Sequence, residues 1–384
     1  MSARIVLWGA TGYTGRLVTD ALVQIGERPV LAGRDAARLR QLSDSHDRLE
    51  TAVADVEHTG SIEKLLDEGD VLVSTVGPFT LFGKAALDAA VSAGAHYIDS
   101  TGEPAFMRDV FSVSGPLAQR RGTTLLTAFG YDYVPGNVAA AAAVDRAGPD
   151  ARQVDVAYLL PASVDIGGTK RPREPAISTG TRASLLAAGA DPQHVRRKGR
   201  LSLEPAARRM KDFCVDGRTR WASSIGGTEP LALPRTYPDL DEIGVYMEFP
   251  GPAQVTRSVA LGFSLVAGAL GRSSPGRRAI ERVVRSAATR TGGGPSAEAR
   301  ARSGSLVVAT CRAGDGRPLS SVRLEGPTNG YTLTGHLIAW GAARLRAGEQ
   351  KSAGALGPVE AFGLEACEAE LSQAGLTISD LDGI

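Results

Sequence analysis

Apolar positions along the chain follow two regimes. Up to about residue 135, short continuous apolar runs alternate with segments whose apolar residues recur at helical spacing. Ile5-Val-Leu-Trp8 is a run of the kind required of a strand buried on both faces of a parallel sheet. Leu17, Val18, Ala21, Leu22 and Ile25 then mark the inner side of a helix over 16–25, and Pro29–Ala32 reads as a second strand. Further strands are predicted at Ala52–Asp55, Val71–Thr75, His96–Asp99 and Thr123–Thr127, with helices at Ala36–Leu42, Ser61–Leu66 and Ala85–Ala93. This regular alternation predicts an α/β class, with an N-terminal Rossmann domain (a doubly wound parallel sheet) over 1–135.

Beyond about residue 152 the pattern changes. Val154–Leu160, Trp221–Ile225, Ile243–Phe249, Leu306–Cys311 and Val322–Leu324 read as strands and Thr181–Ala188 as a helix, while 194–220 reads as irregular and basic. A second α+β domain with a mixed sheet is expected over 136–330, carrying substrate binding and dimerisation. Tyr331–Arg346 and Val359–Ala374 predict two helices with apolar faces in a C-terminal segment, 331–384. Ser258–Leu270 holds thirteen uncharged residues, followed over 272–302 by eight Arg against two Glu. The expectation is a buried helix or subunit contact with a solvated basic flank, since thirteen residues are too short to span a bilayer. The alternative is a patch that meets a membrane or an acyl chain. Arg196, Arg197, Lys198, Arg200, Arg208 and Arg209 are expected to form a solvated face, the alternative being attraction of a phosphopantetheine arm or an acidic carrier protein.

Composition narrows the function. Of 384 residues, 43% are hydrophobic and 22% charged, which excludes a disordered or fibrous chain. A formal charge of +1 argues against a nucleic-acid partner. Three scattered cysteines and five histidines without ligand spacing give neither a disulfide framework nor a metal site. The first apolar run is too short for a secretion signal, so a soluble, cytoplasmic protein is expected.

The chemistry gathers at predicted strand ends, where open α/β sheets bind ligands. Gly9-Ala-Thr11-Gly12-Tyr13-Thr14-Gly15 lies between the first strand and its helix. Its spacing is GxxGxxG, and its physical logic is that of a dinucleotide site. The turn is tight, the backbone comes close to the pyrophosphate, and free amides at the helix start meet negative charge. After the second strand stands Gly33-Arg34-Asp35, with Arg38 one helical turn on. A guanidinium there suits the 2′-phosphate of NADP(H), whereas Asp35 reads as the cap of the next helix. Asp55 is placed to meet the adenine amino group, and Gly77-Pro78 to lie beside the nicotinamide ribose.

GATGYTG, the AGR after strand two, STVGPF, YIDSTGE and GYDYVPGN in this order resemble the saccharopine dehydrogenase-like oxidoreductases, and within them the trans-acting enoyl reductases. The resemblance extends to 294–300, to Gly330-Tyr-Thr-Leu-Thr334 and to 357–360, with Asn329 where the branch more often has Pro. It implies a homodimer, a substrate domain, and C-terminal helices packed back on the Rossmann half. It also implies reduction of a C=C bond by NADPH on a small-molecule or carrier-bound substrate. An imine (C=N) reductase and a non-catalytic NADP(H) sensor are the alternatives. No Tyr-x-x-x-Lys pair is present, so the proton donor is sought among Tyr131, Asp132, Tyr133, Thr101 and Glu103, with Tyr131 first. Asp132 and Glu103 have structural alternatives: Asp132 as cap of a helix starting at Pro135-Gly136, and Glu103 as a carboxylate at the next helix N-terminus.

Overall fold

A computed structural model describes residues 3–381 apart from 56, 57, 59, 162, 167, 168, 173–187, 190, 271, 272 and 290–292. By its internal contacts the chain divides into two compact units. The first comprises Met1–Thr101, Phe106–Asp132 and Gly330–Leu356; the second comprises Gly102–Ala105, Tyr133–Asn329 and Gly357–Ile384.

The continuous apolar runs form the sheet of the first unit. Strands β1 (Ile5–Trp8), β2 (Val30–Gly33), β3 (Thr51–Val53), β4 (Val71–Ser74), β5 (His96–Asp99) and β6 (Thr124–Leu126) lie in the order β3-β2-β1-β4-β5-β6, all parallel. The short strand Gly354–Ala355 adds beside β6. Val6 stands between Val30 and Leu72, so the order reverses at β1, between β2 and β4. Every residue of β1, β2, β4 and β5 is buried, which accounts for runs without alternation. The connecting helices are α1 (Tyr13–Gln24), α2 (Ala36–Asp44), α3 (Gly60–Glu63), α4 (Phe79–Ala93), α5 (Pro104–Asp109) and α6 (Gly115–Arg121).

The expected C-terminal segment 331–384 is divided between the units. Helix Gly330–Arg346 belongs to the first unit, where a Cβ on Gly335 would stand 3.0 Å from the Leu17 carbonyl oxygen of α1. Gly341 likewise faces Phe129 and Ile98, and Trp340 stacks on Phe129 at 6.1 Å. Helices Pro358–Phe362 and Leu364–Gln373 instead belong to the second unit, with Val359, Phe362, Cys367 and Leu371 buried. The strand that follows them pairs in the second sheet and holds them there.

In that unit, α7 (Val134–Ala147) precedes β7 (Gln153–Leu159), the hairpin β8 (Ser163–Ile166) and β9 (Thr169–Pro172), then β10 (Gln193–Arg197), β11 (Arg200–Glu204), β12 (Met210–Val215) and β13 (Arg218–Ser224). Next come α8 (Glu229–Thr236), β14 (Glu242–Met247), α9 (Ala253–Leu270), α10 (Ser274–Thr289), α11 (Ala297–Ala301), β15 (Ser305–Arg312), β16 (Pro318–Gly326) and, near the end, β17 (Thr377–Asp380). The nine-stranded sheet runs β11-β10-β14-β7-β15-β16-β17, with β12 and β13 joined to it through β14. Only the β7–β14 pair is parallel. Every residue of α7 from Val134 to Val144 is buried, and its alanines let it lie close against β7, β15 and β16.

Two expectations are corrected here. Residues 194–220 are two β-hairpins, not an irregular stretch. Lys198-Gly199 and Asp216-Gly217 both take positive φ, as a two-residue hairpin turn requires. Much of their basic charge is tied down: Arg197 pairs with Glu242, Arg209 with Glu204 at 2.7 Å, and Arg196 donates to the Leu240 carbonyl at 2.6 Å. The segment 258–270 is a helix but not a buried one. Only Ser264 and Ala267 of α9 are buried, because only one narrow side reaches the protein. With its first turn the helix has 18 residues, long and apolar enough to cross a membrane by length and composition. The helix expected at 181–188 lies, but for its last residue, outside the described residues.

Gly335→Ala should destabilise the first unit by about 1–3 kcal/mol, because the new methyl group must displace the Leu17 backbone. Urea unfolding checks this; unchanged stability would mean that the two helices have room to separate.

Candidate dinucleotide-binding site

The C-terminal ends of β1, β2 and β4 form a crevice where the strand order reverses, the usual place for a dinucleotide. Three glycines shape it, each for its own reason. Gly9 has φ +89°, and a Cβ there would stand 2.7 Å from Thr75 Oγ1. A Cβ on Gly15 would overlap the Gly9 carbonyl, so α1 packs on the turn only with a bare Cα. A Cβ on Gly12 would meet just one atom within 4 Å, the Gly9 oxygen at 3.1 Å, and Gly12 is otherwise open. Thr75 closes the back of the crevice, its Oγ1 donating to the Trp8 and Gly9 carbonyls at 3.2 Å.

The two neighbouring helix starts differ in a telling way. Helix α2 is capped from within: Asp35 Oδ1 accepts from the amides of Ala37 at 3.0 Å and Arg38 at 3.1 Å. Helix α1, N-capped by Gly12, has no side-chain cap and no acidic residue in its first turn. Its amides and the positive end of its dipole face outward beside the bare Gly12, a cradle for an anion. Thr11, Tyr13 and Thr14 line this turn and are half-buried. Tyr13 is braced by Tyr331, the two rings meeting edge to face at 5.3 Å.

Arg34 follows β2 directly, is exposed, and makes no ion pair among the described residues. Arg38 lies on α2, its Nε 3.4 Å from Asp35. Asp55 follows β3 and is half-buried, with Ser61 Oγ bonded to its backbone amide at 3.0 Å. Gly77 is exposed, and buried Pro78 N-caps α4, a second helix start without a side-chain cap. The residues assigned to the coenzyme thus all lie in the first unit, at strand ends or helix starts, and the arrangement fits a dinucleotide phosphate.

Of the candidate proton donors, Tyr131 and Asp132 belong to the first unit, Thr101 ends its segment, and Glu103 and Tyr133 belong to the second. Tyr131 is half-buried, its amide donating to Thr334 Oγ1 at 3.0 Å. Asp132 does not cap the following helix; its N-cap is Tyr133, and no side chain caps it. Asp132 Oδ1 is instead buried without a hydrogen-bond partner among the described residues, and burial pushes its carboxyl up to about 6. Glu103 and Thr101 are fully buried.

Asp99, at the end of β5, escaped the sequence reading. It is fully buried and gathers Thr101 N at 2.8 Å, Ala128 N at 2.9 Å and Thr127 Oγ1 at 2.9 Å. It thereby joins the loops after β5 and β6, holding Ala128 at φ +55°. Burial raises its carboxyl to about 6 despite those three donors. The available signal was an acidic residue at a strand's C-terminal end, the position already watched for Asp55.

With this geometry the comparisons agree. The family of the saccharopine dehydrogenase NADP binding domain matches residues 5–126. That stretch is a saccharopine dehydrogenase NADP-binding domain. The trans-acting enoyl reductases of Mycobacterium ulcerans and Mycobacterium leprae are each 34% identical to the chain over 140 residues, 35% of this chain and 34% of theirs. The chain spans about a third of the length of the curated relatives it matches. Saccharopine dehydrogenase (L-Glu forming) from Saccharomyces cerevisiae shares the fold, with a TM-score of 0.58 at 14% identity over 99% of this chain and 100% of that one. Homospermidine synthase from Legionella pneumophila, solved with NAD, gives 0.61 at 11% identity over 100% and 92%. The likeness to those two solved structures is one of fold; the NADP-binding domain is the part whose family is shown.

The Asp132 carboxyl moves from 3.8 to about 6 on folding, so its contribution to stability is present below about pH 4 and lost as pH rises through 6. Asp132→Asn should therefore flatten part of that fall and raise stability at pH 7 by on the order of 2 kcal/mol. Urea unfolding across pH 4–8 measures it, and an unchanged profile would contradict the burial argument.

Proposed function

We propose that the protein is an NADPH-dependent reductase of an unsaturated biosynthetic intermediate, a C=C bond being the preferred acceptor. The observation that carries the coenzyme choice is the exposed Arg34 after β2, without an ion pair among the described residues, beside an α1 N-terminus left uncapped. The first-turn amides of α1 hold the pyrophosphate, with Gly12 leaving room for its approach. Arg34 would hold the 2′-phosphate, with Arg38 adding charge. Asp55 would face the adenine, and Gly77 and Pro78 the nicotinamide ribose.

When bound, NADPH supplies a hydride to one carbon of the acceptor, and the protein supplies the proton that completes the other. Asp132 suits that task best. A carboxyl raised to about 6 by burial keeps its proton on part of the molecules near neutral pH, and among the described residues no partner competes for its Oδ1. Tyr131 then orients the substrate, and Glu103 is the remaining candidate acid. The name of the mycobacterial relatives, trans-acting enoyl reductase, supports C=C reduction carried out in trans. An imine reductase is the second reading, favoured by the saccharopine dehydrogenase type of the coenzyme domain.

Calorimetric titration should show NADPH bound more tightly than NADH, and Arg34→Ala should weaken NADPH by about tenfold to a hundredfold while leaving NADH unchanged. Equal affinities in both proteins would remove the basis of the assignment. Mixed with NADPH and an enoyl thioester, the protein should consume the coenzyme, and Asp132→Asn should slow turnover with little change in coenzyme affinity. Faster consumption with a cyclic imine would favour the second reading; binding without turnover on either substrate would leave an NADP(H) sensor.

A further inference from the structure

Helix α9 breaks the ordinary rule for a surface helix. Its protein-facing side is narrow: Ser264 and Ala267 are buried, Ser264 Oγ accepts from the Ala206 amide at 3.0 Å, and Arg257 donates to the Arg208 carbonyl at 3.1 Å. The opposite side should carry charge. It carries Val255, Val259, Phe263, Val266 and Leu270 instead, at steps of four, four, three and four residues, so that all five fall on one stripe. Val259 is 69% exposed and Val266 60%, and no residue of the helix other than Arg257 is charged. Such a stripe is covered by something in the working protein.

Charge indicates the cover. The chain leaves α9 into 272–302, with eight Arg against two Glu, and α10, which packs against α9, exposes Arg278 and Arg282. A second copy of the chain would bring two such basic stretches together, whereas anionic headgroups would neutralise both. A bilayer-spanning arrangement does not suit a helix that is hydrogen-bonded to the protein along one side. The geometry points to α9 and α10 as an interfacial anchor: the outer stripe of α9 enters the headgroup–acyl boundary of an anionic lipid surface while Arg278 and Arg282 of α10 meet its phosphates. This attachment is independent of the coenzyme assignment.

Sedimentation of the full chain with phosphatidylcholine vesicles, with and without phosphatidylglycerol, tests it. Binding is expected to the anionic vesicles, to weaken with added salt, and to fall by roughly tenfold or more in the double variant Val259→Asp, Phe263→Asp. Arg278→Glu with Arg282→Glu should weaken binding to anionic vesicles alone. Both double variants, four substituted positions in all, can be checked for folding by circular dichroism and urea unfolding. The inference is overturned if the protein ignores both vesicles, if the apolar double variant binds like the parent, or if light scattering finds a dimer that this variant disperses, which would assign the face to a second copy.

Discussion

The contact between the bare Cα of Gly15 and the carbonyl of Gly9 is the constraint on which the coenzyme site rests. It lets α1 start directly beneath the turn, with its amides aimed at the place where β1 and β4 part. Any side chain at position 15 would lift the helix and with it the anion cradle. Gly9 adds a second condition, since only a left-handed residue without a Cβ can turn the chain so close to Thr75. Behind these, the helix Gly330–Arg346 braces α1 through Gly335 and Tyr331, so residues more than three hundred positions downstream fix the geometry of the glycine turn.

The second unit solves a different problem. Its central strand β7 is buried almost throughout and still carries Asp155, which pairs with Lys211 and, at 2.9 Å, with Arg312. A carboxylate at that depth has lost hydration that only such partners offset, so the pairing ties the β12–β13 hairpin and β15 to the middle of the sheet. Tyr158 does the same for α7 and α8: its hydroxyl accepts from Gly136 N at 3.0 Å and donates to Glu229 Oε1 at 3.2 Å. Polar groups here specify which elements meet, and apolar area supplies the cohesion.

How much was legible follows from where the information lies. In the first unit, burial on both sides of each strand writes itself as unbroken apolar runs, and the glycine turn and Arg34 are local features, so the sheet, the turn and the place of Arg34 after β2 could be read from the chain. The cap made by Asp35 was legible for the same reason. Asp99 was not, because its role depends on amides contributed by the loop after β6. In 194–220, arginines occupy positions that pair with carboxylates of other strands, and this charge obscured an alternation that the Asp216-Gly217 turn signalled. The exposure of α9 was illegible because an uncharged stretch looks the same whether it faces a core or a bilayer. The division of 331–384 depends on which sheet edge accepts β17, a tertiary matter that helical spacing does not encode.

The double role of Asp35 limits how the coenzyme preference could be redesigned. An NAD-selective domain needs a carboxylate near the end of β2 free to receive a ribose hydroxyl, and here the one present already N-caps α2 and lies beside Arg38. Removing Arg34 would therefore yield a protein indifferent between the two coenzymes rather than one converted to NAD. Conversion would require a new acid at position 34 together with a neutral cap, such as Asn or Ser, at position 35.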